Sequence, residues 1–215
     1  MSARENILGK VRVALGKSQG ANAKEQQRAQ EYIARHQIGP QPVIEKELIK
    51  RFIEKATYLA NTVAQVESVD DVPQAVAKYI AENHLMRQIV CWSKFAQLDW
   101  QAQNLKAESR AANGNDLIGV TGVFRAIAET GTLMCVSGEK TPPATSLLPE
   151  THIAIVLANQ IVATMEEAWS FMRRELSKTP RAVNFISGPS RTGDIEQTIV
   201  LGAHGPYRVH IIVVL

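Results

Sequence analysis

The fold is decided by the stretch HIAIVLANQIVATMEEAWSFMRRELSKTPRAVNFIS, His152–Ser187. It contains a predicted strand, HIAIVLA, a predicted helix, MEEAWSFMRREL, and a second predicted strand, AVNFIS. The first strand is apolar on both faces, which is typical of strands buried inside a parallel sheet. Thr164 is the predicted N-cap of the helix, and Glu166 and Glu167 favour its positively polarised start. This order of elements indicates an α/β domain.

The same alternation extends from about Thr62 to Leu215. Further predicted strands are TVAQV, RQIVCWS, DLIGV, TLMCVS, TIVLG and RVHIIVV. We therefore predict a layered α/β fold with a mixed, largely parallel sheet. The last two strands are joined only by AHGPY, which is too short for a helical crossover, so this pair is predicted to form an antiparallel hairpin.

The first sixty residues are predicted to be helical and poor in strands. Ser2 and Glu5 fit a capping box at the start of a helix. Later, Ile44, Leu48, Phe52 and Ala56 fall on one helical stripe. We therefore divide the chain into a helical extension, residues 1–60, and an α/β domain, residues 61–215.

The composition is that of a globular protein, with 45% hydrophobic and 21% charged residues among 215. The net charge is only +3 and the basic residues are spread out, so nucleic-acid binding is not indicated. The start lacks the long apolar core of a signal peptide. The longest apolar run, Ile211–Leu215, is too short to span a bilayer. We expect a cytoplasmic protein that does not insert into a membrane.

The cysteines and histidines predict no metal centre in this chain. Cys91 and Cys135 lie inside apolar runs, where a thiol behaves as a small buried hydrophobe. Two thiols cannot hold an ordinary four-cysteine iron–sulfur cluster. His84 and His152 have no Cys, Asp or Glu at a recognisable ligand spacing. We expect no cofactor bound by this chain itself, and a reducing compartment.

The first candidate site is the loop VTGVFRAIAETGTL, Val120–Leu133, because open α/β sheets bind ligands where strands end. A short helical turn is expected in FRAIAE. The Thr–Gly–Thr that follows offers hydroxyls and a flexible backbone to an anion, and Glu129 is interpreted as a base, a nucleophile or a structural anchor. A tight loop whose threonines cap backbone groups explains the same residues. The candidate binding residues are Thr121, Gly122, Thr130, Gly131 and Thr132.

The second candidate site is ISGPSRTGDIE, Ile186–Glu196. Gly188 allows the backbone to approach a ligand closely. Arg191 offers a forked donor that matches a carboxylate or phosphate. In the structural alternative, Arg191 forms an ion pair with a neighbouring acidic residue and only stabilises the turn. The candidate binding residues are Gly188, Pro189, Ser190, Arg191, Thr192, Asp194 and Glu196.

A third loop, LGAHGPYRVH, contains His204 near two glycines. His204 is a candidate acid or base, and hydrogen bonding to the backbone is the alternative role.

Three stretches together resemble the LUD-domain family: GVTGVFRAIAETGTL, SLLPETHIAIV and FISGPSRTGDIEQTIVLGAHGPYRVHIIVV. Their order and spacing agree over about Thr62 to Leu215, with departures at Phe124–Arg125 and at Gly193, where the family often has Ala. The resemblance implies a three-layer α/β/α fold of the NagB/RpiA/CoA transferase-like superfamily. The two signature loops of the family correspond to the first two candidate loops.

The resemblance also implies a function. It implies oxidation of L-lactate to pyruvate together with partner subunits that carry iron–sulfur clusters, and a small carboxylate or phosphate ligand at the two loops. CoA-transferase relatives use a glutamate nucleophile, which makes Glu129, with His204, the candidate catalytic residues. Two other functions stay open. One is a stand-alone transferase or isomerase acting on a CoA thioester or a sugar phosphate, and the other is a non-catalytic assembly subunit.

Overall fold

The computed structural model describes residues 2–17, 21–44, 47–193 and 200–215. The chain divides into two compact units, Met1–Gln41 and Pro42–Leu215. The first unit contains α1 (Ala3–Ala14) and α2 (Ala23–Arg35). Each helix begins with a capping box, and the predicted box of Ser2 and Glu5 is confirmed.

The second unit contains the remaining elements. Its helices are α3 (Leu48–Tyr58), α4 (Val72–Glu82), α5 (Ala144–Leu147) and α6 (Met165–Glu175). Its strands are β1 (Thr62–Val66), β2 (Gln88–Cys91), β3 (Lys106–Ser109), β4 (Ile118–Gly122), β5 (Arg125–Ile127), β6 (Thr132–Val136), β7 (Thr151–Leu157), β8 (Ile161–Val162), β9 (Val183–Ile186), β10 (Arg191–Thr192), β11 (Val200–Leu201) and β12 (Arg208–Val214). Short 3-10 helices span Val69–Asp71, Ser93–Phe95, Gln101–Gln103 and Ala158–Gln160.

The main sheet has the strand order β1-β12-β7-β4-β2-β3, and all of these neighbours are parallel. The predicted α/β class with a largely parallel sheet is confirmed. Side chains of a strand alternate between its two faces. In β7, Ile153 and Ile155 face one core, while Ala154 and Val156 face the other. The continuous apolar sequence of this strand is therefore explained by burial on both sides.

One face of the main sheet is covered by α4 and the two 3-10 helices that follow β2. Val76 and Ile80 of α4 pack there with Ile118 and Ile212 of the sheet. Pro73, in the first turn of α4, leaves the helix intact because that position needs no backbone N–H partner.

The other face is covered by α3 and by a smaller sheet with the order β8-β5-β6-β9. In this sheet β5 is parallel to β8, whereas β6 is antiparallel to β5 and β9. Ala126 and Leu133 face the main sheet, whereas Ile127 and Met134 face α6. The helix MEEAWSFMRREL, with Thr164 as its N-cap, is confirmed as α6.

Two predictions about the strands were wrong. The expected helical turn FRAIAE contains strand β5, because Ala126, Ile127 and Ala128 alternate between two cores with the period of a strand. The expected hairpin of TIVLG with RVHIIVV is not seen in the described part of TIVLG, which begins at Val200. There β11 pairs with β10, and β12 lies between β1 and β7, where its apolar residues are buried on both faces.

The compact α/β unit begins before the boundary predicted between residues 60 and 61. It includes α3, because Phe52 and Ala56 of this helix are fully buried among residues of the main sheet. In the part of the chain that the structure describes, no helix is long and apolar enough to cross a membrane.

Removal of residues 1–41 is expected to leave the α/β unit folded, because its core residues lie in the second unit. Removal of residues 1–60 should abolish cooperative unfolding, since it also deletes α3, and truncation of one buried Phe alone typically costs about 3–5 kcal/mol. Thermal melts followed by circular dichroism compare the two shortened chains. Equal stability of both would contradict the assignment of α3 to the core.

Candidate functional site

A chain of three hydroxyl groups connects the two predicted binding loops. The Thr130 hydroxyl donates a hydrogen bond to Oγ1 of Thr132 over 2.8 Å, and that oxygen lies 2.7 Å from Oγ of Ser187. Thr132 is buried, whereas Thr130 and Ser187 are exposed. The hydroxyl chain therefore has a buried centre and two ends that solvent can reach. Ser187 joins the first loop to the second. It lies within ISGPS but was not among the predicted binding residues.

Two glycines hold the same loops against the end of α3. Gly131 has φ +70°, and a Cβ at this position would lie 2.4 Å from the backbone nitrogen of Ala56. Gly188 has φ +92°, and a Cβ there would lie 2.3 Å from the carbonyl oxygen of Leu59. Positive φ and close approach to a backbone both require glycine. These residues therefore shape the site by packing of the main chain.

Ser190 ties the second loop to the turn that precedes β12. Its N–H donates to the carbonyl oxygen of Pro206 over 2.8 Å, and its own carbonyl accepts from the N–H of Gly202 over 2.9 Å. Pro189 is half-buried beside it. Since Leu59 and Pro206 shortly precede β1 and β12, the loop lies at the amino ends of these parallel strands. The usual position of ligands in open α/β sheets had predicted the carboxyl ends of the strands instead.

Arg191 and Thr192 form β10, with Thr192 buried and Arg191 exposed. His204 is exposed in the turn between β11 and β12. Neither Arg191 nor His204 has a side-chain hydrogen bond or ion pair to another described residue. The predicted Asp194 and Glu196 lie outside the residues that the structure describes.

Glu129, in the loop after β5, contacts the first residue of α6. Its carboxylate accepts a hydrogen bond of 3.4 Å from the N–H of Met165, and its own N–H donates to the carbonyl of Ala163 over 3.0 Å. A negative charge stabilises the N-terminal end of a helix. Of the three roles suggested for Glu129, the structural anchor matches these contacts.

Thr121 is separated from the hydroxyl chain and pairs with His152 in the core. Its Oγ1 lies 2.7 Å from Nε2 of His152, and both side chains are fully buried. Burial lowers the pKa of His152 to about 4, so the imidazole is neutral at neutral pH. Nδ1 of His152 has no hydrogen-bond partner among the described residues. The sequence could have indicated the buried role of His152, because it is the only histidine in the apolar strand β7.

Gly122 lies under the amine of Lys94 at the carboxyl ends of β2 and β4. A Cβ on Gly122 would lie 2.3 Å from Nζ of Lys94, and this amine is 4.6 Å from the centre of the Phe95 ring. Lys94 as a whole is exposed, but its amine end is crowded, and burial lowers its pKa. Lys94 was not predicted, because nothing in the local pattern connects it to Gly122.

The two cysteines are buried in different cores, Cys91 on the α4 side of the main sheet and Cys135 on the other. Burial raises the pKa of Cys91 to about 11 and that of Cys135 to about 12. Among the described residues, no three His, Cys, Asp or Glu side chains are grouped to hold a metal ion.

Some of the predicted binding residues thus form one cluster, and several others, among them Thr121 and Gly122, lie outside it. The cluster contains the three hydroxyls and the backbone of Gly131 and Gly188. Ser190 and Arg191 follow Gly188 in the same loop. Hydroxyl donors and a guanidinium are the groups that suit a small anion such as a carboxylate.

Comparisons with known proteins agree with one another. A sequence model described as the LUD domain matches residues 49–214. "Lactate utilization protein C" of Exiguobacterium sp. is 31% identical over 183 residues, which cover 79% of this chain and 79% of that protein. The protein of the same name from Bacillus subtilis (strain 168) is 34% identical over 123 residues, covering 54% of this chain and 49% of that protein. The crystal structure of a DUF162 family protein from Deinococcus radiodurans shares the fold, with a TM-score of 0.63 and 23% identity over 81% of this chain and 100% of that chain.

Gly131→Ala is expected to lower the free energy of unfolding by more than about 2 kcal/mol, because the new methyl group would meet the backbone of Ala56 at positive φ. Gly193→Ala is the matched control, since no described residue lies within 4 Å of a Cβ at that position. It should change the stability by no more than about 0.5 kcal/mol. Urea denaturation measures both. Equal effects of the two substitutions would contradict the packing role of Gly131.

Stability is expected to fall as the pH drops from about 6.5 to about 4. Burial lowers the folded-state pKa of His152 and of His210 to about 4, from 6.5 for a free imidazole. Below pH 6.5 the unfolded chain therefore binds protons that the folded chain does not, at a cost of up to about 3 kcal/mol for each histidine. Below pH 4 this contribution levels off.

Urea denaturation across this pH range measures the effect. His152→Gln should show a shallower pH dependence than the unsubstituted chain, whereas His204→Gln, which removes an exposed imidazole, should show the same dependence. An unchanged pH dependence in His152→Gln would contradict the role of the buried imidazole.

Proposed function

Because the chain belongs to the LUD-domain family, we propose that it takes part in lactate utilization, the role stated by the names of its relatives. We further propose that it acts in the oxidation of L-lactate to pyruvate as a subunit working with iron–sulfur partners. The observation that carries the ligand assignment is the hydroxyl chain of Thr130, Thr132 and Ser187 between the two loops.

Oxidation of L-lactate breaks the C2–H bond and the O–H bond of the substrate, and releases an electron pair and two protons. An electron acceptor is therefore needed. Cys91 and Cys135 do not fit as cluster ligands, because they lie in different cores and burial raises the pKa of both thiols. We therefore assign the iron–sulfur clusters to partner subunits.

The residues of this chain would bind and orient the acid. The guanidinium of Arg191 pairs with the carboxylate in the two-pronged geometry that Arg favours. The exposed hydroxyls of Thr130 and Ser187 add neutral donors. His204 accepts the proton of the lactate hydroxyl, because the carboxylate of Glu129 is held at the start of α6. The exposure of Arg191 and its lack of an ion pair within the described residues support its role as the anion ligand.

An assembly role is a second candidate, favoured by apolar side chains on α1 and at its end. Ile7, Val11 and Leu15 recur every four residues and are 63%, 48% and 65% exposed. An apolar stripe of this kind packs into the groove of a partner. The first unit would then hold the iron–sulfur subunits while the second unit binds the acid.

Purification of the tagged chain from cells grown on lactate tests the proposal. The recovered complex is assayed for reduction of an artificial acceptor that depends on L-lactate. Arg191→Ala should lower kcat/KM by about tenfold or more, since a charged hydrogen bond contributes about 1.5–3 kcal/mol. Arg181→Ala removes another exposed guanidinium and should leave the activity unchanged.

Two results would contradict the proposal in different ways. Full activity in Arg191→Ala would remove this residue from the site. A chain that purifies alone and converts a CoA thioester, with that turnover lost in Glu129→Gln, would replace lactate oxidation by transferase chemistry with a glutamate nucleophile.

A further inference from the structure

The two edges of the main sheet differ in charge. At one edge, β3 carries Lys106 and Glu108 and is followed by Arg110, and these side chains form ion pairs. At the other edge, β1 has the sequence TVAQV without a charged residue, and among the described residues it pairs only with β12. Charged side chains protect exposed strand edges against pairing with another chain. By this criterion, the edge at β3 is protected and the edge at β1 is not.

Cavities lie on both faces of β1. One, of about 430 Å³, lies between β1 and α4 and includes Ala64, Gln65 and Lys78 in its wall. The other, of about 610 Å³, lies beside α3, with a wall formed mainly by Leu48, Ile49, Ile53 and Ile161. Gln65 borders both cavities. The strand is therefore flanked by open space on each side, and a second strand added at this edge would find room for its side chains.

The rims of these cavities carry charges of both signs. On α4, Lys78 and Glu82 are 3.9 Å apart and 75% and 60% exposed. At the start of α3, Glu47 and Lys50 are 3.4 Å apart and 70% and 69% exposed. Exposed pairs of this kind contribute little to the stability of one chain. Each helix nevertheless presents a positive and a negative group about one turn apart, next to the unpaired strand.

Such a surface matches itself under a two-fold axis. When two copies of a strand pair in antiparallel fashion, the helices above them also run in opposite directions. When the axis passes between these two positions, Lys78 of one copy faces Glu82 of the other, and the reverse contact forms across the axis.

We propose that β1 is a dimerisation edge, at which two copies of this chain pair β1 with β1 in antiparallel fashion and continue the main sheet across a two-fold axis. The strand supplies the backbone hydrogen bonds. The apolar cavity beside α3 and the charged rim of α4 receive the side chains of the second copy. The proposal does not depend on lactate binding.

Light scattering coupled to size-exclusion chromatography tests the proposal on the full chain. At about 50 µM, well above a micromolar Kd, the mass should be twice the chain mass of 23.7 kDa. Gln65→Lys places a charge on the paired edge in both copies and should produce the monomer. Gln101→Lys, the same change at an exposed position near β3, should leave the dimer intact.

A charge exchange on α4 provides the second test. Lys78→Glu should weaken dimerisation at least tenfold, because two negative groups then face each other across the axis. Combining Lys78→Glu with Glu82→Lys should restore the original Kd, since opposite charges meet again. A monomeric unsubstituted chain would overturn the proposal, and so would a dimer that neither Gln65→Lys nor Lys78→Glu weakens.

Discussion

The rest of the structure depends on the insertion of β12 between β1 and β7. Both pairings are parallel, and β12 contributes Val209, Ile211 and Val213 to one core and Ile212 and Val214 to the other. A parallel sheet is stable only when both of its faces are covered. The central position of this strand therefore fixes where α3, α4 and the smaller sheet must pack. It also sets the position of the turn that carries His204 and to which the backbone of Ser190 is hydrogen-bonded.

The candidate site is built from the same constraint. The end of α3 precedes β1 directly, so the packing of this helix brings its last turn beside Gly131 and Gly188. These two close backbone contacts keep the hydroxyls of Thr132 and Ser187 within hydrogen-bonding distance of each other. Binding groups and core packing are therefore coupled here, because a change at either glycine moves the loops as well as the helix.

Local patterns predicted the elements that depend on local forces. The period of α6, its N-cap Thr164 and the apolar strand β7 were all readable from the sequence. The partner of β12 was not, because strand pairing between distant segments leaves no local signal, and a short connection favoured a hairpin instead. The hydroxyls of Thr130 and Thr132 and the glycines of the site followed from composition, whereas Ser187 was not predicted. The contacts of Thr121 with His152 and of Gly122 with Lys94 were not predicted either, since each joins elements that are distant in the sequence.

The pairing of β1 with β12 has a consequence for biosynthesis. Thr62 and His210, joined by a hydrogen bond, are separated by 148 positions. At about 5–20 residues per second, the ribosome makes β12 about 7–30 s after β1. During this interval β1 has no strand partner, and β7, once it is made, has only β4 beside it. An unpaired strand edge is a template for pairing with another chain, so aggregation competes with folding until β12 has been made.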